Sequence, residues 1–175
     1  NLLHSYEQKI IPRKEYVELL TTYAKTHRKD GRPYLAEACH PDTGSFEGHD
    51  GYNHSEHYFH SGYCDLVITG LVGICPSDDD QLTIDPLAPS SWDYFALDRL
   101  PYRGHELTVL WDRTGERYGK GAGLQVLVDG QQVAKSAELK KLVVSVPVAG
   151  VRRAATPDPR VIDVNYAVNN DGYYY

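Results

Sequence analysis

The stretch Leu124-Gln125-Val126-Leu127-Val128-Asp129-Gly130-Gln131-Gln132-Val133 decides how the larger part of this chain folds. A β-prone run ends on Asp-Gly and a second run resumes at once. A two-residue hairpin turn of type I′ needs φ > 0 at both central positions, which Gly adopts freely and Asp tolerates. The reading is an antiparallel hairpin.

Working outward, the same punctuation recurs from Pro76 onward. Ser77-Asp78-Asp79-Asp80 is a polar turn, and Gln81 to Asp85 can pair as a strand. Trp92 to Leu97, His105 to Trp111 and Leu142 to Val146 each carry strand composition or alternation. Gly115 to Gly123 is glycine-rich and basic, superficially like a phosphate loop. It lacks the Gly-Lys-Ser/Thr ending and lies between strands, so it reads as a long hairpin loop. Short strands with turns every ~8–12 residues predict a β-sandwich or partial barrel.

Before Pro76 the period is helical. Pro12 can open a helix in which Glu15, Tyr16, Leu19, Leu20, Tyr23 and Ala24 repeat at helical spacing up to His27-Arg28, with Asp30-Gly31 as the stop. A second helix is predicted from about His54 to Gly73, where Gly62, Gly70 and Gly73 require close packing against a neighbour. From Ala149, Arg152 to Pro159 reads as a linker, and Val161 to Val168 as a strand opening a further module. The fold class is therefore α+β: helices over 1–76, an antiparallel β-sandwich over 77–148, then a linker and the start of another module over 149–175. Two helices cannot enclose a core alone. The chain holds no Met, begins inside a helical pattern and stops on Tyr173-Tyr174-Tyr175, so it reads as an internal piece of a longer polypeptide.

Its 175 residues, 41% hydrophobic and 24% charged, suit a globular protein with a real core. A net charge of −6 argues against non-specific nucleic-acid binding, which needs clustered Lys and Arg. No apolar run approaches the ~20 residues of a membrane span. Cys39, Cys64 and Cys75 match no zinc pattern and no disulfide framework, leaving one bridge plus a free thiol or three buried thiols. Asn53-His54-Ser55 is a glycosylation sequon, which points to a secreted route.

Chemistry concentrates between residues 37 and 63. Glu37 stands just ahead of a Pro41-Asp42-Thr43-Gly44 turn that can fix its direction, as a general base for an attacking water requires. A surface Glu in a loop is the competing reading, and Asp42 is a turn-former. His49, His54, His57 and His60 follow. Residues 54, 57 and 60 drift round a helix rather than converge, so a shared metal is the weaker use and no metal or other cofactor is expected. Interleaved with Tyr52, Asn53, Tyr58 and Tyr63, they suit a polar cleft for a carbohydrate, flat rings with polar tips meeting apolar sugar faces and hydroxyl rims. Ordinary surface histidines at a helix start remain the alternative. Trp92-Asp93-Tyr94-Phe95 offers either a sugar platform or packing between domains.

Glu37-Ala38-Cys39-His40-Pro41-Asp42-Thr43-Gly44 resembles a signature near the end of the catalytic barrel in (α/α)6 glycosidases, closest to glycoside hydrolase family 63 and the mannosylglycerate-hydrolase-like enzymes. Ser61 to Ile74 resembles the last helix of that barrel. Ile84 to Pro89, Trp92 to Phe95 and Tyr102 to His105 are similar to the β-sandwich that follows it, and Val164 to Gly172 resembles the entry to an accessory domain. The resemblance implies inverting glycoside hydrolysis with Glu37 as general base; in the polar cleft read from the residues themselves, His54, His57, Tyr58 and Tyr52 are the expected substrate contacts. The resemblance also implies an Asp general acid on an upstream segment, which would be this chain's partner. Ala38-Cys39 departs from commoner members, where an aromatic often follows the Glu. A non-catalytic carbohydrate-binding or structural sandwich is the second reading.

Overall fold

The computed structural model describes residues 2–35, 37–40, 42–46 and 62–150. It contains helices α1 (Leu2–Glu7) and α2 (Arg13–Lys25), and a small hairpin of β1 (Arg28–Lys29) and β2 (Arg32–Pro33). A short helix α3 (Gly62–Asp65) follows, running on as π-helical turns over Leu66–Leu71. Then come β3 (Ile74–Pro76), β4 (Gln81–Ile84), β5 (Tyr94–Tyr102), β6 (His105–Asp112), β7 (Gly123–Val128), β8 (Gln131–Ser136) and β9 (Leu142–Ser145).

The strands from β3 onward form two antiparallel sheets, in the orders β3-β4-β9 and β5-β6-β7-β8. Leu82, Ile84 and Val144 of the first share one core with Leu107, Val109, Trp111, Leu124 and Val126 of the second. On β6 and β7 the core residues alternate, as a pleated strand with one face on the core requires. The Asp129-Gly130 turn is present, with φ of 50° and 78°. A second turn of the same kind, Arg103-Gly104, joins β5 to β6 with φ of 51° and 83°. Here a long side chain takes the position that favours Asn or Asp. The Arg103 guanidinium donates to the carbonyls of Ser77 (2.6 Å) and Val146 (3.4 Å), which anchors the strained residue. The glycine-rich loop joins β6 to β7 as expected.

Three expectations change. Asp30-Gly31 does not merely stop α2; it turns the β1–β2 hairpin, with φ of 51° and 75°. Ile74 does not end a helix but opens β3, whose pairing with β4 makes Ile74–Pro76 part of the sandwich's first sheet. The helix expected from His54 to Gly73 is, among the described residues, one α-turn followed by π-helical winding, with Val72 N–H reaching back to the Val67 carbonyl (2.9 Å). Its part before Gly62 lies outside the described residues, as do the linker from Arg152 and the strand at 161–168.

The π-wound segment is braced by α2. Tyr16, fully buried on α2, donates its hydroxyl to the Leu66 carbonyl (2.8 Å). A Cβ at Gly70 would lie 1.9 Å from that hydroxyl oxygen, so only glycine fits beneath the ring. Burial, helped by Glu7, pushes the Tyr16 phenol up to about 12. Gly73 (φ +80°) ends the winding where a Cβ would strike the backbone of Asp85.

The segment Asp85 to Ala88 joins the helices to the sandwich. The amides of Leu87 and Ala88 donate to the Leu71 carbonyl (both 3.1 Å), satisfying a helix terminus that would otherwise lack donors. Arg13, at the start of α2, donates to the carbonyls of Pro86 (2.8 Å), Leu87 (3.0 Å) and Ala88 (2.6 Å). Leu87 itself packs with Tyr16 and Leu20 in a small second core. No helix among the described residues is long and apolar enough to cross a membrane.

Candidate functional site

Glu37 lies in the loop that leaves β2 and is exposed. The loop is clasped at both ends. The Tyr34 amide donates to the His27 carbonyl (2.9 Å), and the Tyr34 ring meets buried Phe46 edge-on, with centroids 4.7 Å apart. Lys29 also sits over the Tyr34 ring, 5.1 Å from its centroid.

Between these clasps the chain closes a tight turn. His40 N–H donates to the Ser45 carbonyl and Gly44 N–H to the His40 carbonyl, each at 2.8 Å. Gly44 takes φ +67°, as the sequence requires of it. The side chain that organises the turn is His40 rather than Asp42. Its Nδ1 accepts from the amides of Asp42 (3.2 Å) and Thr43 (3.4 Å). Glu37 therefore projects from a loop whose far side is held by backbone bonds. Its carboxylate makes no hydrogen bond or ion pair among the described residues and is left open to solvent.

An aromatic cluster adjoins this loop. Tyr23 and Tyr63 meet edge-on at 5.1 Å, and His27 lies 5.2 Å from Tyr23 and 4.6 Å from Tyr63. The His27 Nδ1 bonds the Tyr23 carbonyl (2.9 Å). Burial pushes the Tyr23 phenol up, and the Cys39 thiol and Tyr63 phenol add to it. Burial likewise raises Tyr63, with Cys64 adding to it. Cys39, two residues after Glu37, is thus near enough to Tyr23 for its charge to be felt there. Sequence reasoning named Tyr63 as a cleft residue but missed Tyr23 and His27 as its neighbours. Their i, i+4 spacing, which puts two side chains on one helix face, was the available signal.

His54, His57, Tyr58 and Tyr52 lie outside the described residues, as do His49 and His60. Among the described residues no group of three or more His, Cys, Asp or Glu could hold a metal ion. All three cysteines are free: Cys39 and Cys75 are half-buried and Cys64 is exposed, so neither a bridge nor three buried thiols describes them. Trp92 is half-buried, and its carbonyl accepts the Trp111 indole N–H (2.8 Å). Tyr94 is 47% exposed beneath the Arg117 guanidinium, 4.5 Å from its ring centroid.

Residues 5–61 match the family model described as the mannosylglycerate hydrolase MGH1-like glycoside hydrolase domain. Residues 77–135 match that of the glycosyl hydrolase family 65 C-terminal domain. The chain is glycosidase-related. A solved structure named a sialidase is similar over 77% of this chain, with 38% identity and a TM-score of 0.70. The chain spans only 12% of the length of that sialidase. The family 65 C-terminal match falls on the strands, where the sequence predicts a sandwich without pointing to that family.

Proposed function

We propose that this chain is the C-terminal part of an inverting (α/α)6-barrel glycosidase, of the family 63 or mannosylglycerate-hydrolase-like kind, and that Glu37 is its general base. The observation that carries this reading is the glycoside-hydrolase match over residues 5–61, which includes Glu37, together with an exposed carboxylate on a braced loop. A base must hold its position while remaining free to accept a proton from water.

In an inverting reaction the base and the acid stand about 6.5–9.5 Å apart, leaving room for the water. The acid, an Asp, belongs to an upstream segment. Glu37 takes a proton from the water as its oxygen attacks the anomeric carbon from the face opposite the leaving group. The acid protonates the departing glycosidic oxygen. Tyr23, His27 and Tyr63 form a wall beside the loop, and His54, His57, Tyr58 and Tyr52 contribute sugar contacts. The sequon at Asn53 supports a secreted protein.

Glu37→Gln in the full-length polypeptide tests the role. Turnover should fall by ~10²–10⁴-fold while the melting temperature stays unchanged. Proton NMR of the first-formed product should show the inverted anomer. Activity within a few-fold of the parent, or a retained anomer, would reject the assignment.

A further inference from the structure

The outward face of the second sheet carries a trough of about 400 Å³ that the hydrolytic reading does not use. Its floor is apolar: Ala96 of β5 faces Leu110 of β6, and Leu127 of β7 lies diagonally beside Leu110, opposite Thr108. The glycine-rich loop folds back to make one wall, bringing Tyr118 and Lys120 over the strands. Two side chains hold it there. The buried Asp112 carboxylate accepts the amides of Gly115 (2.8 Å) and Tyr118 (3.0 Å). The buried Gln125 amide donates to the carbonyls of Lys120 (3.1 Å) and Gly121 (2.7 Å).

The opposite wall is a β-bulge. The register between β5 and β6 shifts between Leu97 and Leu100, with Arg99 at φ +53°. A bulge re-aims the side chains beside it. Here Asp98 receives the Thr108 hydroxyl (2.7 Å), Arg99 N–H donates to that same hydroxyl oxygen (3.1 Å), and Arg99 Nε stands 3.6 Å from the Asp98 carboxylate. Glu106 closes the trough on the β6 side. The walls thus carry two carboxylates, Asp98 and Glu106, and two cations, Arg99 and Lys120.

We propose that this trough is a non-catalytic binding site for a neutral saccharide. An apolar floor with a few fixed polar groups is the usual make-up of a small-ligand site. The floor and the Tyr118 ring suit the C–H face of a pyranose. The carboxylates accept from hydroxyls and the cations donate to them, so each hydroxyl can find a partner of either kind. Balanced wall charge gives an anionic sugar no advantage. Exposed Tyr94 lies near the loop wall and meets Tyr118 edge-on at 6.2 Å, extending the surface toward a second sugar unit.

The test is an amide NMR titration of the whole chain with glucose, mannose, maltose and cellobiose. At least one should give saturable shifts confined to residues 96–99, 106–110, 118–121 and 127–130, with a dissociation constant on the order of 1 mM. Glu106→Ala and Lys120→Ala should each weaken it about tenfold without changing the melting temperature, and Glu37→Gln should leave it unaltered. The last result separates this site from the proposed hydrolytic one. Absence of saturable shifts with all four sugars, shifts located elsewhere, or parental affinity in both wall variants would overturn the proposal.

Discussion

Gly70 and Tyr16 show how one residue's absence of a side chain is dictated by another's presence. Because Tyr16 is fully buried, its ring has nowhere to go when a methyl is placed at Gly70. Gly70→Ala should therefore destabilise the helical part by about 1–3 kcal/mol, measured by urea unfolding. Tyr16→Phe should relieve only part of that penalty, since the ring carbon Cζ would still lie 2.6 Å from the new Cβ. Asp112 supplies a second prediction. Burial pushes its carboxyl up, but the amides of Tyr118, Gly115, Arg117 and Thr114 pull harder and leave it below the usual range. A lowered folded pKa stabilises the fold above the unfolded value of about 3.9, and that stabilisation is lost as pH falls through the folded value. Asp112→Asn should flatten the acid side of the stability curve, read by denaturant unfolding between about pH 2 and 5. The turn at Gly44 was legible because a positive φ selects glycine. The His40 bonds were not, because a ring that accepts from amides two and three residues on leaves no compositional trace.

Elements divide in the same way. The β7–β8 hairpin could be read from Asp129-Gly130, since the turn residues and the flanking runs agree. The same dipeptide at Asp30-Gly31 reads as a helix stop because β1 and β2 are two residues each and offer no alternation. The π-helical turns were illegible, since the hydroxyl that braces them lies fifty positions earlier in the chain. Arg13 acts at this scale, forking onto successive carbonyls of the joining segment. Lysine keeps the charge but not the planar fork. Arg13→Lys should cost about 1–2 kcal/mol and speed amide exchange at Leu87 and Ala88, whereas Lys14→Ala beside it should do neither.

Across the whole molecule, the sandwich has a continuous core while, among the described residues, the helical part rests on Tyr16, Leu20 and Leu87 with partly buried neighbours. Opening should therefore be uneven. Native-state hydrogen exchange should find the amides of β6 and β7 protected to the global limit and those of α2 released earlier. Equal protection across both would show a tighter union than this packing implies. The joining segment has a further consequence, for inheritance. Ile74–Pro76 gives the first sheet its outer strand, while Asp85 to Ala88 seals the helix that precedes it. Each part thus keeps a piece of itself on the other's side of the seam. A gene exchange that cut at Ser77 would strip one sheet edge and uncap one helix together, so the two parts are expected to travel through evolution as a pair.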